Sequence, residues 1–118
     1  MVALRALNKT ELDEITKTVY RAAKDVLGDK LKSAYLYGSY ARGDYDDESD
    51  VDITVLADVP MEEASKTRSK IRQFTGDIDL EYCKVISVSV TNYDLFCYYS
   101  DTLPYYMNVL KEGISLYA

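Results

Sequence analysis

Residues 31–57 dictate most of what this chain can become. Leu31–Tyr37 is a short apolar and aromatic run that stops at Gly38, and further on Val51, Ile53 and Val55 alternate with Asp52, Thr54 and Leu56. Both runs suit strands, the second from about Asp50 to Ala57. The link between them opens Gly38-Ser39-Tyr40-Ala41-Arg42-Gly43 and closes Ser49-Asp50-Val51-Asp52. Such a unit places something polar at one end of a sheet, because six acids (Asp44, Asp46, Asp47, Glu48, Asp50 and Asp52) crowd nine residues with no base among them. With these set aside the remaining 14 acids balance the 14 bases, so the whole net charge of −6 sits at this one link.

The flanking sequence supplies helices. Asn8, with Glu11 three residues on, forms a capping box. From there Leu12, Ile15, Val19, Ala22, Ala23, Val26 and Leu27 recur at helical spacing, and Gly28 sits where a glycine ends a helix. Pro60 opens a second helix that carries Met61, Ala64, Ile71 and Phe74 inward and closes near Gly76. In Asp77-Ile78-Asp79-Leu80-Glu81-Tyr82 polar and apolar residues alternate strictly, which predicts a third strand with Asp77, Asp79 and Glu81 on one face. The pattern turns ambiguous over Ser87-Val88-Ser89-Val90. Thr91 or Asn92 then caps a short helix holding Tyr93, Leu95, Phe96 and Tyr99, Pro104 starts a last helix ending at Gly113, and Ile114–Tyr117 suits an edge strand. The 118 residues read as one α/β (α+β) domain over 1–118, a small mixed sheet flanked by helices.

Composition removes several classes of function. With no His, the usual Ser-His-Asp and Cys-His nucleophile systems and His-ligated zinc are out of reach. Cys83 and Cys97 form no CxxC and have no further cysteine beside them, so both read as small buried hydrophobes. The negative balance and the lack of a basic run argue against tight nonspecific nucleic-acid binding. No apolar stretch approaches the length of a membrane span or a signal sequence, so the expectation is a cytoplasmic protein without a membrane partner.

The acids carry the chemistry. Two Asp at i and i+2 on a strand share a face, and unpaired they repel and raise each other's pKa. A hard divalent cation removes that penalty, and Mg²⁺ typically takes one or two carboxylates together with substrate phosphates. A third carboxylate from the Asp77/Asp79/Glu81 face would complete a site for two metals. Gly38, ending one strand, leads into a turn whose free N–H groups, with the Ser39 hydroxyl, make a seat for phosphate. An anion seat beside a cation seat is what a Mg²⁺–triphosphate requires.

Gly38-Ser39, ten intervening residues and Asp50-Val51-Asp52 resemble the signature of the polymerase-beta-like nucleotidyltransferase superfamily. The extended form, with Arg42-Gly43 and Ser49, most resembles the minimal nucleotidyltransferases, small proteins often paired with a HEPN partner as a toxin–antitoxin module. The resemblance implies that Asp50 and Asp52 ligate metal and that Gly38 and Ser39 hold the β- and γ-phosphates. Arg42 and Ser49 match motif positions, for phosphate contact or support of the loop. The family's third carboxylate comes from the strand after the long helix; Asp79 fits that place best, with Asp77 and then Glu81 behind it. Two Mg²⁺ ions, ATP or another NTP as substrate, and a Tyr hydroxyl of a HEPN toxin as acceptor follow from the same resemblance. Self-association stays open.

Plainer readings stand beside these. Asp44, Asp46, Asp47 and Glu48 read as a solvated loop. Lys66, Arg68, Lys70 and Arg72 scatter around a helix, and Glu62–Lys66 is an i,i+4 pair, so a solvated helix face is expected rather than a nucleic-acid surface. Most of the late tyrosines (Tyr93, Tyr98, Tyr99, Tyr105, Tyr106) read as core packing. The rival to an enzyme is a binding module that neutralises a partner by forming a complex; an enzyme acting on RNA ends is disfavoured by charge.

Overall fold

The computed structural model describes residues 5–117. Helix α1 (Lys9–Leu27) starts where its cap predicts: the Asn8 side chain accepts from the Glu11 N–H at 2.8 Å, and Glu11 accepts from the Asn8 N–H at 3.1 Å. This satisfies two donors that a helix start leaves free. Ile15, Val19, Ala22, Ala23 and Leu27 face inward, and Gly28 ends the helix at φ +55°.

Strand β1 (Leu31–Tyr37) pairs antiparallel with both β2 (Val51–Ala57) and the two-residue β4 (Ile114–Ser115). On the far side of β2 lies β3 (Ile86–Asn92), parallel to it, so the mixed sheet has the order β3-β2-β1-β4. One face carries Ala34, Leu36, Val51, Ile53, Val55, Ile86, Val88 and Val90 into the main core. Helix α1 and helix α3 (Ala64–Thr75) cover that face and pack on each other. Ile15, Val19, Ile53, Val55 and Ile71 lose all exposure there, each worth about 1.5–3 kcal/mol of burial. The other face is only partly covered. Helices α5 (Tyr93–Tyr99) and α6 (Pro104–Glu112) bring Phe96 and Val109 against Leu56, with Tyr35, Tyr37, Tyr93 and Tyr106 around them. The end where Asp52 and Ser87 sit is left open.

Asn92 caps α5 as expected, accepting from Leu95 N–H at 2.9 Å while donating to Val59 C=O at 2.8 Å. Tyr40 lies in α2 (Ser39–Arg42), the single turn after Gly38, and is buried with its hydroxyl accepting from Leu7 N–H at 3.0 Å. It stacks on Tyr45 at 4.4 Å between ring centroids, which pins the acidic link to the chain entering α1. Tyr40→Phe leaves that buried N–H unpaired, so denaturant melts should show a loss of about 1–3 kcal/mol; an unchanged midpoint would mean that the bond contributes nothing.

Five expectations are corrected. Residues 77–82 form no strand: Ile78–Tyr82 is a short helix, α4. Ile78 and Tyr82 lie four apart, a spacing common to both periods, and both pack on the core, whereas Leu80 between them is 78% exposed. A strand would have put all three on one side. In α3 the inner stripe is Ala64, Thr67, Ile71 and Thr75, so Phe74 and Met61 are exposed. Neither cysteine is a buried hydrophobe: Cys97 is exposed, and half-buried Cys83 ends α4 in the left-handed region at φ +53°. Of the basic row on α3, Lys66 and Lys70 are solvated, but Arg68 Nε donates to Val88 C=O at 2.6 Å and Arg72 pairs with Asp79. Among the described residues no ion pair joins Glu62 to Lys66. These arginine contacts have a use, because β3 is an edge strand and an open edge invites foreign pairing. Arg68, the Asp79 carboxylate on Ile86 N–H (3.0 Å) and the Met61 sulfur on Asn92 N–H (3.2 Å) occupy its outer groups. The late tyrosines divide: Tyr93 and Tyr106 pack as expected, while Tyr98, Tyr99 and Tyr105 are exposed.

Candidate active site

The site assembles where β1 ends and β2 begins. Gly38 takes φ +77° and ψ −157°, a region that side-chain-bearing residues essentially never occupy. The turn is closed by Ala41 and Arg42 N–H groups donating to Gly38 C=O (3.1 and 3.0 Å) and by Gly43 N–H donating to Ser39 C=O (2.9 Å). Asp52 stands opposite Tyr37 in the sheet, and its carboxylate leans on the Gly38 backbone: a Cβ at Gly38 would meet Asp52 Oδ2 at 2.6 Å. Gly38 is therefore the cradle in which Asp52 fits.

Asp52 is half-buried. Burial raises its pKa first and the neighbouring charge of Asp50 raises it further, with Arg42 pulling the other way. Asp50 is exposed, one residue before β2. Two adjacent carboxylates, one of them partly desolvated, form a hard-oxygen donor set with excess negative charge, which suits a divalent cation such as Mg²⁺. Asp50 and Asp52 would hold it.

The remaining expected residues fall into two groups. Ser39 begins α2 beside Gly38; Gly38 C=O takes the Ala41 and Arg42 amides, which leaves those of Ser39 and Tyr40 at the head of the turn. Arg42 is turned elsewhere: Nε contacts Asp44 at 3.2 Å and Nη1 contacts Glu112 of α6 at 3.3 Å, tying the acidic link to the last helix. The Ser49 hydroxyl is bound inside the loop, accepting from Asp46 N–H at 2.9 Å and donating to Asp46 Oδ1 at 3.2 Å. Asp44, Asp46, Asp47 and Glu48 are exposed, and the loop is ordered by its own hydrogen bonds.

Asp79 is not on a neighbouring strand. It lies in α4 with one oxygen on Arg72 and the other on Ile86 N–H, while Asp77 and Glu81 are exposed. It does border Asp50: Glu48, Asp50, Asp79, Cys83 and Lys84 line one cleft of about 300 Å³. Among the described residues no three acids come together as a metal cluster.

Sequence reasoning missed three contributors. Lys84 is buried and donates to the Asp47 carbonyl at 2.5 Å, clamping the acidic link against the start of β3. A hydroxyl chain runs across the open face: Tyr105 donates to Tyr37 at 3.0 Å, while Ser89 lies 3.3 Å from Tyr105 and donates to Thr54 at 3.0 Å. Burial, then the Tyr105 bond, pushes the Tyr37 phenol above its ordinary value. Tyr37, Gly38, Arg42, Tyr105, Asn108 and Glu112 surround a second cleft of about 220 Å³ beside the glycine turn. The available signal was the alternation in β3, whose polar positions Ser87 and Ser89 mark the half-covered part of that face, while Thr91 beside Leu56 is buried.

A glycine that seats a carboxylate, a second aspartate two residues away and a one-turn helix start thus stand together at this end of the sheet. The family profile described as a nucleotidyltransferase domain matches residues 19–115. The chain belongs to this family. Two Methanocaldococcus jannaschii proteins that carry protein-adenylyltransferase names are similar to it. MJ0604 is 33% identical over 105 residues, covering 89% of this chain and 97% of its own. MJ0141 is 42% identical over 77 residues, covering 65% and 76%. A crystal structure of a toxin–antitoxin with AMP-PNP matches with a TM-score of 0.55 at 21% identity, over 95% of this chain and 74% of that one. A mutant of the MntA-HpeT toxin–antitoxin matches at 0.52 and 18% identity, with the same coverage. At such identity these two structures speak for the fold.

Proposed function

We propose that this protein transfers a nucleoside monophosphate, AMP from Mg²⁺-bound ATP, to a hydroxyl on another protein. The observation that carries the reading is the fit of Asp52 into the Gly38 turn with Asp50 beside it. The acceptor oxygen bonds to the α-phosphorus, the bond from that phosphorus to the oxygen bridging the β-phosphate breaks, pyrophosphate leaves, and the acceptor proton passes to solvent. Gly38, the Ser39 hydroxyl and the first two amides of α2, those of Ser39 and Tyr40, would seat the β- and γ-phosphates. Asp50 and Asp52 would hold the cation, which when bound neutralises phosphate charge. The protein-adenylyltransferase names of the relatives support ATP and a protein acceptor. The toxin–antitoxin proteins sharing the fold support a toxin as partner. A Tyr of a HEPN-type toxin, silenced by AMPylation in the cytoplasm, is the acceptor proposed.

The second reading is a module that neutralises its partner by complex formation, and one observation favours it: β3 carries no carboxylate beside the acid pair. Co-expression with a helical toxin partner separates the two. With ATP labelled at the α-phosphate, the wild-type chain should label the partner and an Asp50→Ala/Asp52→Ala chain should not. If the double variant still restrains the partner fully and the wild type transfers nothing, complex formation is the function.

A further inference from the structure

The strand register gives the sheet neighbours of the two aspartates. Asp52 is flanked by Tyr37 on β1 and by Ser87 on β3. Val51 N–H donates to Val85 C=O at 3.0 Å, so one step earlier the residue alongside Asp50 is Val85. Aligned residues of paired strands point to the same face, as the Ser89–Thr54 bond on that face confirms for the next pair along. The acid pair is thus bordered by a phenol, a serine hydroxyl and an apolar side chain.

Of the other nearby acids, all but Glu48 are committed or remote. Asp79 has both oxygens occupied, by Arg72 and by Ile86 N–H. Asp44 pairs with Arg42, Asp46 accepts from Glu48 N–H and Ser49, and Asp47 accepts from Ala6 N–H. Glu48 lines the cleft with Asp50, yet no three acids converge among the described residues.

A cation pair about 3.5–4 Å apart is tolerable only where charged oxygens bridge and flank it. The nucleotide's phosphates balance the cation they carry, so a second cation needs a further protein carboxylate beside Asp50 and Asp52. The serine hydroxyl that stands there is a neutral, weak ligand for a hard ion. We propose that this site takes a single divalent cation with its nucleotide, and that Ser87, in the lateral position next to Asp52, is the residue that sets that number. The inference rests on the nucleotide-transfer reading above and refines it. It also bears on the acceptor: with no second cation beside it, the attacking hydroxyl must lose its proton to solvent unaided. That favours a phenol, whose pKa is about 10, over an aliphatic alcohol.

The test counts Mn²⁺ by EPR in the full chain, with AMP-PNP saturating and Mn²⁺ titrated. The wild type should bind one nucleotide-dependent Mn²⁺ per chain with no spin-coupled pair, and Ser87→Ala should behave the same. Ser87→Asp should bind two, with the coupled-pair spectrum; Ser87→Glu serves if the aspartate variant does not fold. Two coupled ions in the wild type would overturn the proposal while leaving nucleotide transfer standing. A folded acidic variant that still binds one would overturn the role of Ser87. No nucleotide-dependent Mn²⁺ in the wild type would instead sink the proposed function itself.

Discussion

An Asp52→Asn chain is expected to melt higher than the wild type in EDTA at pH 7 and to lose nucleotide transfer. The stability half follows from the direction of the Asp52 shift. Burial, then Asp50, holds its pKa above the ordinary carboxylate value, so the folded state binds the proton more tightly than the unfolded chain. The sign is therefore unfavourable at neutral pH: the ionised group costs stability once the pH has risen through its folded pKa. That cost is absent below the unfolded value, about 4. The melting advantage of Asp52→Asn should thus appear at pH 7 and vanish below about pH 4. The functional half follows from the cation seat. Mg²⁺ with ATP at a hundredfold excess over Kd should stabilise the wild type by about 2.7 kcal/mol and leave the variant unmoved. Transfer should fall by about 10²–10³-fold or more, the usual cost of removing a group that stabilises developing charge. A variant that melts lower in EDTA, or that still responds to Mg²⁺–ATP, would show that Asp52 is not a strained cation ligand.

The same conflict between stability and function explains which parts of the molecule could be read from sequence. The Asn8–Glu11 box, the Gly28 stop, the Asn92 cap and strands β1, β2 and β4 are written in residues adjacent along the chain, where local geometry decides. The glycine turn and the Asp-x-Asp were legible for the same reason, because one hairpin-like unit contains them. Residues 77–82 were misread because Ile78 and Tyr82 satisfy both a two-residue and a 3.6-residue period, and only the core beneath α4 selects between them. That slip hid the true neighbour of Asp52, since the strand beside it starts at Ile86 and presents Ser87. Arg72–Asp79, Lys84–Asp47 and the Tyr105–Tyr37 chain join residues 7, 37 and 68 positions apart, and no local pattern announces such pairs. The acidic link illustrates the point. Its charge alone suggested a solvated loop, yet Lys84, Arg42 and Tyr40 fasten it at three places.

The second large effect is expected at Gly38. Three glycines other than Gly38 also have positive φ, but at Gly28, Gly43 and Gly76 a Cβ would meet nothing within 4 Å. Substituting alanine there costs only backbone strain. The cost is about 1–2 kcal/mol at Gly43, which is left-handed. It is about 1–3 kcal/mol at Gly28 and Gly76, whose ψ of −124° and −141° puts them in the same glycine region as Gly38. Gly38 combines two penalties. Its φ of +77° with ψ −157° lies in a region that is essentially glycine's alone, and its Cβ would stand 2.6 Å from Asp52 Oδ2. Strand pairing keeps the Asp52 backbone opposite Tyr37, so the clash is relieved by rotating the carboxylate off its seat against the glycine. Gly38→Ala should therefore lose about 2–4 kcal/mol in denaturant melts, against about 1–2 for Gly43→Ala. The surviving folded fraction should fail to gain stability from Mg²⁺–ATP, since the displaced carboxylate no longer faces Asp50. Restoring room at the other partner checks the cause. In an Asp52→Ala background the clash is gone and only the backbone term remains, so the penalty of Gly38→Ala should shrink by a measurable interaction energy in a double-mutant cycle. Additivity of the two changes would mean that the glycine is required by the turn alone and that the carboxylate's seat against it has no energetic weight.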